Sequence, residues 1–279
     1  EFSGSLENSI VGIGVRYQYV DGCVLIKEVL ADSPALTVGL QPGDMIIAVE
    51  GVSTAEIGDE HIADAIKGEE GTDVTVTVKR ESDVYDITIT RAQVFTSVTS
   101  EIKEGIGYVQ ISSFGSQTAE ELYNHLVALQ NKGVTRLILD VRDNGGGYLN
   151  TLMKMSSFFL PKGSVVLKEE MRDGSVTTHT TSTLPISFDK IVLLVNENSA
   201  SCSEVFASAL RDAGVSIVGV TTYGKGTVQV TRAFSDGSAL KYTTARWLTS
   251  DDKSIDGIGV VPDEEVQLQD AMYESYVIL

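Results

Sequence analysis

Three serine residues alternate with other residues where an apolar run gives way to a helical pattern. The run IVLLV ends at residue 195, and NENSASCSEVFASALRDAG follows over residues 196–214 with Ser199, Ser201 and Ser203. A serine hydroxyl at the start of a helix lies beside free backbone N–H groups, which can stabilise the oxyanion of an acyl-transfer reaction. Serine is also among the residues preferred as helix caps. These residues alone therefore leave two interpretations open, a nucleophile or a helix cap.

A single lysine lies between two glycines in the segment VGVTTYGKGTVQV, residues 218–230. The spacing from Gly219 to Gly224-Lys225 approaches a nucleotide-binding P-loop, but Gly226 stands where serine or threonine would hold magnesium. A lysine removed from water loses its preference for the charged form, and its neutral amine can deprotonate a serine hydroxyl. Gln229, four residues on in an alternating pattern, would share a face with Lys225 and orient its amine. The alternative is a solvated loop lysine.

Three consecutive glycines follow a predicted buried strand in LILDVRDNGGGYL, residues 137–149. Glycine lets a backbone approach a ligand closely, so the amides of Gly145 to Gly147 can serve as hydrogen-bond donors. The same residues are also typical of a flexible turn. The three segments together contain a candidate serine nucleophile, a candidate lysine base and candidate backbone donors for an oxyanion, and each keeps its structural alternative.

The composition excludes several other classes of function. The chain has 279 residues and a formal net charge of -18, which disfavours nucleic acid and anionic membranes as partners because both attract basic surfaces. Its three histidines, His61, His125 and His179, are far apart and lack metal-ligand spacing. We therefore expect no metal, no cofactor and no Ser-His-Asp triad.

The elements that must position these residues fall into two regions. Residues 10–92 predict a β-rich unit in the order strand, strand, short helix, strand, helix, two strands. After residue 96, strands and amphipathic helices alternate, which indicates an α/β region with parallel pairing. One of its helices is predicted to start at a Thr118 cap and to stop at Gly133. Two hairpins are also predicted, one within residues 163–188 and one turning at residues 236–238.

Residues 10–92 resemble a PDZ domain. GIGV, the residues Gly12, Ile13, Gly14 and Val15, matches the loop that binds a terminal carboxylate. SPALTVGLQPGDMIIAVEGV follows with the family's spacing, and HIADAIKG matches the helix beside the groove. The resemblance implies a domain that binds an extended C-terminus as an added strand, with backbone N–H groups receiving the carboxylate.

The whole chain resembles the carboxyl-terminal processing proteases, in which a PDZ domain precedes a serine-lysine peptidase core. LILDVRDNGGG, VNENSASCSEVFASALRD, TYGKGTVQ and YTTARWLTSDDKSIDGIGVVPD match four of the family's motifs in order. The resemblance implies an α/β peptidase core of crotonase- or ClpP-like ββα units with an embedded, mostly-β PDZ domain. The expected divisions are an N-terminal remnant over 1–9, the PDZ domain over 10–96 and the peptidase core over 97–279, with an inserted hairpin near 163–188.

The resemblance also assigns roles at the site. Ser201 becomes the nucleophile, Lys225 the base and Gln229 the orienting residue. The backbone N–H of Cys202 and that of Gly146 or Gly147 become the oxyanion donors, and Cys202 departs from the alanine common in the family. A Ser-Lys enzyme of the penicillin-recognising kind is disfavoured because Ser201 does not begin an S-x-x-K motif.

The resemblance implies a serine endopeptidase that recognises protein or peptide C-termini and is gated by its PDZ domain. An inactive peptide-binding scaffold of the same fold is the alternative. The family's members mostly act outside the cytoplasm, so an extracytoplasmic protein, membrane-anchored in full length, is expected. A homo-oligomer and a regulatory partner both stay open.

Overall fold

A computed structural model describes residues 9–30, 33–95, 97–234, 236 and 238–267. The chain divides into two compact units, one of residues 9–96 and one that contains the chain from residue 97 onward. Residues 1–8 of the expected remnant at 1–9 and the tail from 268 lie outside the described residues, whereas Ser9 begins the first described strand. Within the described part, no helix has the length and apolar character needed to cross a bilayer.

The first unit consists of two antiparallel sheets and short helices. Its elements are β1 (Ser9–Gly12), β2 (Val15–Val20), β3 (Cys23–Val29), α1 (Pro34–Thr37), β4 (Met45–Val49), β5 (Val52–Ser53), α2 (Thr54–Ile57), α3 (Asp59–Ile66), β6 (Asp73–Arg80), β7 (Asp83–Thr90) and β8 (Ala92–Phe95). The main sheet has the order β2-β3-β4-β6-β7, with β5 beside β4, and β1 pairs separately with β8. This agrees with the predicted order and adds β1, β5, α2 and β8.

Alternation along β6 explains how this sheet forms a core. Its sequence DVTVTVKR places Val74, Val76 and Val78 on one face, and all three are fully buried. Successive side chains of a strand point to opposite faces, so one face of β6 is apolar while the threonines face outward. Ile62 and Ile66 of α3 belong to the same buried cluster.

The second unit contains two sheets. Its elements are β9 (Val98–Lys103), β10 (Ile106–Ile111), α4 (Thr118–Asn131), β11 (Arg136–Asp140), α5 (Leu149–Ser156), β12 (Val165–Met171), β13 (Val176–Thr180), β14 (Lys190–Val195), α6 (Cys202–Asp212), β15 (Ser216–Gly219), β16 (Thr227–Ala233), β17 (Ala239–Leu248) and β18 (Glu264–Glu265). Gln117, not Thr118, precedes α4, and the Thr118 hydroxyl instead accepts a bond from the Gly115 N–H.

The larger sheet has the order β18-β15-β14-β11-β10-β9. Strands β10, β11, β14 and β15 run parallel, and β9 is antiparallel at the edge. Their apolar runs are buried on both faces: Leu137 and Leu139 of β11 enter the main core with α4, α5 and α6, whereas Ile138 enters a smaller cluster on the other face. Burial on both faces is typical of parallel sheets.

The parallel arrangement decides where a site can form. The carboxyl ends of parallel strands lie at the same edge of the sheet, where ligands bind in α/β proteins. The loops after β11, β14 and β15 are the glycine, serine and lysine segments singled out from the sequence.

The smaller sheet has the antiparallel order β13-β12-β17-β16. The predicted hairpin within 163–188 is formed by β12 and β13. The second predicted hairpin is formed by β16 and β17, and the pairing of β12 with β17 joins the two hairpins into one sheet. Of the turn predicted at 236–238, residue 237 lies outside the described residues.

Candidate active site

Ser201 occupies a strained turn between β14 and α6. Its backbone has φ 57° and ψ −116°, a region that residues with a Cβ rarely adopt. A serine on a strained strand-to-helix turn is the arrangement of nucleophile elbows, in which the turn projects the hydroxyl from the protein. Ser201 is half-buried, and it directly precedes the first residue of α6.

The neighbouring serines have structural roles. Ser199 and Ser203 are fully buried. The Ser199 hydroxyl donates to the Val141 carbonyl at 2.8 Å, and the Ser203 hydroxyl donates to the Asn144 carbonyl at 2.8 Å. Both therefore fasten the serine segment to the glycine segment, which leaves Ser201 as the candidate nucleophile among the three.

Glu204 links the serine and lysine segments. One of its carboxylate oxygens, Oε2, accepts the backbone N–H of Ser201 and that of Lys225, each at 2.8 Å. The other oxygen, Oε1, accepts the Thr222 hydroxyl and the Gly224 N–H, both at 2.6 Å. Glu204 is fully buried, so these four donors compensate the burial of its charge.

Sequence reasoning assigned Glu204 no role at the site. The available signal was its position three residues after Ser201, the spacing of a helix capping box. That spacing predicts the bond to Ser201 but not the bonds to the lysine segment, which depend on the parallel order of β14 and β15.

Hydrogen bonds fix the backbone of Lys225 through both its N–H and its C=O group, and that of Gly226 through its N–H. The Lys225 carbonyl accepts the indole N–H of Trp247 at 2.8 Å, and the Gly226 N–H donates to Asp256 at 3.1 Å. Gly224 and Gly226 allow this close approach, because a Cβ on Gly226 would lie 2.6 Å from the Asp256 backbone nitrogen. Lys225 is half-buried. Its side chain forms no hydrogen bond with the Ser201 hydroxyl in the part of the chain that the structure describes.

Gln229 lies in β16, where a bulge separates its pairing with Thr243 from that of Val228 with Ala245. Its side chain is exposed and makes no hydrogen bond to Lys225 among the described residues. The orienting role of Gln229 therefore stays a prediction.

Two backbone N–H groups beside Ser201 have no acceptor within the described chain, those of Cys202 and Gly147. The Gly146 N–H, by contrast, donates to the Asn144 side chain at 2.9 Å. Gly146 has φ 100°, and a Cβ there would lie 2.9 Å from the Cys202 nitrogen. The geometry thus favours Gly147 and Cys202 as oxyanion donors, while Gly146 supplies the space between the two segments.

The Cys202 thiol is unsuited to be the nucleophile. Burial raises its pKa to about 11, and the hydrogen bond with the Gly147 backbone offsets only part of that rise. The protonated thiol donates to the Gly147 carbonyl at 3.3 Å. At neutral pH it is therefore a packed, neutral group.

Hydrogen bonds between polar side chains, some buried and some exposed, fasten the glycine segment. Asp140 is fully buried and receives Arg142 through both carboxylate oxygens, with Nε and Nη2 at 2.6–3.0 Å. Asp143, at φ 61°, accepts the side-chain amides of Asn196 and Asn198. These two amides hold the pKa of Asp143 below its usual range, Asn198 more strongly than Asn196.

The first unit contains an apolar groove of about 320 Å³. Its lining includes the predicted loop residues Gly12, Ile13, Gly14 and Val15, together with apolar side chains of α3. The Ile13 and Gly14 carbonyls accept bonds from Ala35 and Leu30, but their N–H groups have no acceptor among the described residues. The groove can therefore receive an apolar side chain while these amides bind a carboxylate.

No group of three or more His, Cys, Asp or Glu residues in the described part is arranged to hold a metal ion.

The second unit has the fold of a serine peptidase core, and the chain belongs to peptidase family S41. That family's profile matches residues 105–266, and a PDZ domain profile matches residues 25–80.

Relatives described as "Probable CtpA-like serine protease" include one from Staphylococcus haemolyticus (strain JCSC1435), 38% identical over 95% of this chain and 54% of the relative. Another, from Staphylococcus aureus (strain N315), is 35% identical over 100% of this chain and 56% of the relative. The chain thus spans about half the length of the curated relatives it matches. The solved photosystem II D1 C-terminal processing protease is similar in structure, with a TM-score of 0.56 and 27% identity over 93% of this chain and 73% of that chain.

Proposed function

We propose that this chain is a serine endopeptidase that captures protein C-termini in its PDZ groove and cleaves the polypeptide through an acyl-enzyme on Ser201. The observation that carries the proposal is the Glu204 carboxylate, whose Oε2 lies 2.8 Å from the backbone nitrogens of both Ser201 and Lys225. A shared buried acceptor fixes the two backbones as neighbours, which is the arrangement that a Ser-Lys pair requires.

The proposed reaction starts with proton transfer. The neutral amine of Lys225 accepts the proton of the Ser201 hydroxyl, and Oγ attacks the carbonyl carbon of the scissile peptide bond. The N–H groups of Gly147 and Cys202 stabilise the resulting oxyanion. Lys225 then gives its proton to the leaving amine, and water hydrolyses the acyl-enzyme by the same route.

Substrate capture is proposed to use the first unit. The free amides of Ile13 and Gly14 bind the terminal carboxylate, and the groove receives the last side chain. Because the lining is made largely of apolar residues, a substrate that ends in an apolar residue is favoured.

PDZ-dependent gating is proposed because the Ser201 hydroxyl and the Lys225 amine are not hydrogen-bonded in the described chain, so a further movement of the lysine side chain is needed. Deletion of residues 10–92 tests this. Cleavage of a substrate with a free apolar C-terminus should fall in the deletion variant, whereas unchanged cleavage by a folded variant would rule out gating.

The catalytic assignment is tested with a fluorophosphonate that labels activated serines. The wild-type chain should be labelled, Ser201→Ala and Lys225→Ala should not, and Cys202→Ala is the matched control because it preserves the backbone N–H. Full labelling of Ser201→Ala would overturn the assignment.

An inactive peptide-binding scaffold is the second candidate, favoured by the same missing bond between Ser201 and Lys225. In that case, peptides with a free C-terminus should bind the wild-type chain without being cleaved. Fluorophosphonate should not label Ser201, even when such a peptide is bound.

We also propose an extracytoplasmic location, as expected for the family, with a membrane anchor, a homo-oligomer or a regulatory partner as open features of the full-length protein. Protease protection in fractionated cells tests the location.

A further inference from the structure

Among the described strands, β16 is an outer strand of the smaller sheet, and it directly follows the loop that carries Lys225. It begins at Thr227, two residues beyond Lys225, and it is the last strand of the β13-β12-β17-β16 sheet. No other strand of the described chain pairs with its outer side. An edge strand presents unpaired N–H and C=O groups, which form a template for an additional strand.

The hairpin with β17 determines which residues of β16 direct their backbone N–H and C=O groups away from β17. The Phe234 N–H donates to the Ser238 carbonyl at 2.8 Å, so this pair is hydrogen-bonded. Hydrogen-bonded and non-hydrogen-bonded pairs alternate along an antiparallel ladder. The register pairs Ala233 with Ala239, Thr231 with Lys241 and Gln229 with Thr243, and these are the non-hydrogen-bonded pairs. The backbone groups of Gln229, Thr231 and Ala233 therefore point to the free edge.

The outer half of this hairpin is exposed on both faces from Gln229 onward. It nevertheless carries apolar side chains, with Val230 and Tyr242 paired across the strands at 43% and 42% exposure. Phe234 and Leu240 are also exposed. A two-stranded ribbon alone is only marginally stable in water. A group of exposed apolar side chains on such a ribbon indicates a surface that binds another polypeptide.

We propose that an extended segment of the substrate polypeptide adds to the outer edge of β16 and hydrogen-bonds to the backbone of Gln229, Thr231 and Ala233. The occupant is assigned to substrate because the edge is continuous with Lys225, so a segment paired with it leads toward the reacting bond. Backbone pairing tolerates many sequences, and the apolar side chains of the hairpin would add contacts. This inference rests on the proposed function and adds a second substrate contact, distinct from the PDZ groove.

The decisive variant is Thr231→Pro, which removes one outward N–H without removing a bond to β17. Lys241→Pro is a matched control, because Lys241 is the cross-strand partner of Thr231 and its N–H points to the opposite edge of the same hairpin. Both prolines should strain the hairpin similarly, but only Thr231→Pro alters the proposed substrate edge.

Binding is measured in the Ser201→Ala background with a fluorescein-labelled casein peptide whose C-terminus is amidated, so that the PDZ loop receives no carboxylate. Thr231→Pro should raise the dissociation constant about three- to tenfold, the worth of one backbone hydrogen bond, and Lys241→Pro should not. Equal affinities in both variants would overturn the inference. If Thr231→Pro fails to fold, the same peptide N-methylated at single positions replaces it, and affinity should then fall at alternate positions only.

Two further readouts separate this inference from the proposed function. Fluorophosphonate labelling of Ser201 should be the same in wild type and Lys241→Pro, whereas absence of labelling in wild type would count against the catalytic assignment itself. Light scattering tests the rival occupant: a wild-type dimer that Thr231→Pro dissociates would assign the edge to a second copy of the chain and overturn the inference.

Discussion

Two glycine-containing loops in this chain are proposed to present backbone N–H groups to a negatively charged oxygen, and they are built differently. The proposed carboxylate site uses only the consecutive amides of Ile13 and Gly14. The proposed oxyanion site uses amides from two segments, Gly147 after β11 and Cys202 at the start of α6. The first is formed by one turn of chain, whereas the second exists only while Asn144 and Glu204 hold separate loops in place.

The difference corresponds to the ligand that is proposed for each loop. A terminal carboxylate carries its charge before and after binding, so a modest set of donors suffices. An oxyanion exists only during the reaction, and donors must already be positioned when it forms. Damage to the PDZ loop should therefore raise KM, and damage to the oxyanion site should lower kcat.

The largest effect should come from Gly146→Ala. At φ 100° an added Cβ would lie 2.9 Å from the Cys202 nitrogen, so the glycine and serine segments must separate. We expect kcat to fall about 100- to 1000-fold, as when one oxyanion donor is lost. Gly145→Ala is the control, since a Cβ there meets nothing within 4 Å. Equal steady-state kinetics in the two variants would contradict the comparison.

Glu204→Gln should have the next largest effect. The amide provides one accepting oxygen in place of two and brings N–H groups toward the donors of Ser201 and Lys225. We expect kcat to fall about 10- to 100-fold through misplacement of the pair, with little change in KM. Thr222→Val removes one donor to Glu204 and keeps the carboxylate, so it should cost less. A Glu204→Gln variant that changes KM alone would indicate a different role.

Gly14→Ala tests the PDZ loop. Its φ is 81°, and a Cβ would lie 2.3 Å from the Ser33 Cβ, whereas at Gly12 the nearest atom would be 3.9 Å away. We expect Gly14→Ala to raise KM about tenfold for a substrate with a free C-terminus, and Gly12→Ala to change it less. Amidation of the substrate should abolish the difference between the variants, and its persistence would show that the loop does not bind the carboxylate.

The smallest effect concerns Asp143, whose depressed pKa reflects the amides of Asn198 and Asn196. A carboxyl with a depressed folded-state pKa stabilises the native chain above its unfolded pKa, and this contribution is lost as pH falls through the folded value. Wild type should therefore resist urea slightly better than Asp143→Asn at pH 7, and the difference should shrink below about pH 4. A difference that grows on acidification would contradict this.

Local patterns predicted most of the architecture. The sequence of β6 alternates with period two and those of β11 and β14 are continuous apolar runs, and burial in the structure follows these patterns, on one face for β6 and on both faces for β11 and β14. The start of α4 differed by one residue because the Thr118 hydroxyl bonds to Gly115 rather than to the first turn of its own helix. Such a choice depends on the neighbouring loop and not on the helix sequence.

The site was less predictable because its contacts join distant segments. The roles of the three alternating serines could be distinguished only from the structure, in which Ser199 and Ser203 donate hydrogen bonds to carbonyls of the glycine segment, 58 and 59 residues away. Glu204 was overlooked for the same reason, and the choice between Gly146 and Gly147 depended on one bond to Asn144. The pairing of β12 with β17, which joins two hairpins into one sheet, is likewise a long-range choice.

Trp247 gives the lysine loop an optical property. It is the single tryptophan of the chain, only 3% exposed, and its indole donates to the Lys225 carbonyl. Because indole emission responds to polarity and hydrogen bonding around the ring, the tryptophan fluorescence of the protein, excited selectively over its tyrosines, reports on the surroundings of its proposed catalytic base. Movements of that loop during turnover can therefore be followed in stopped-flow without attaching a dye.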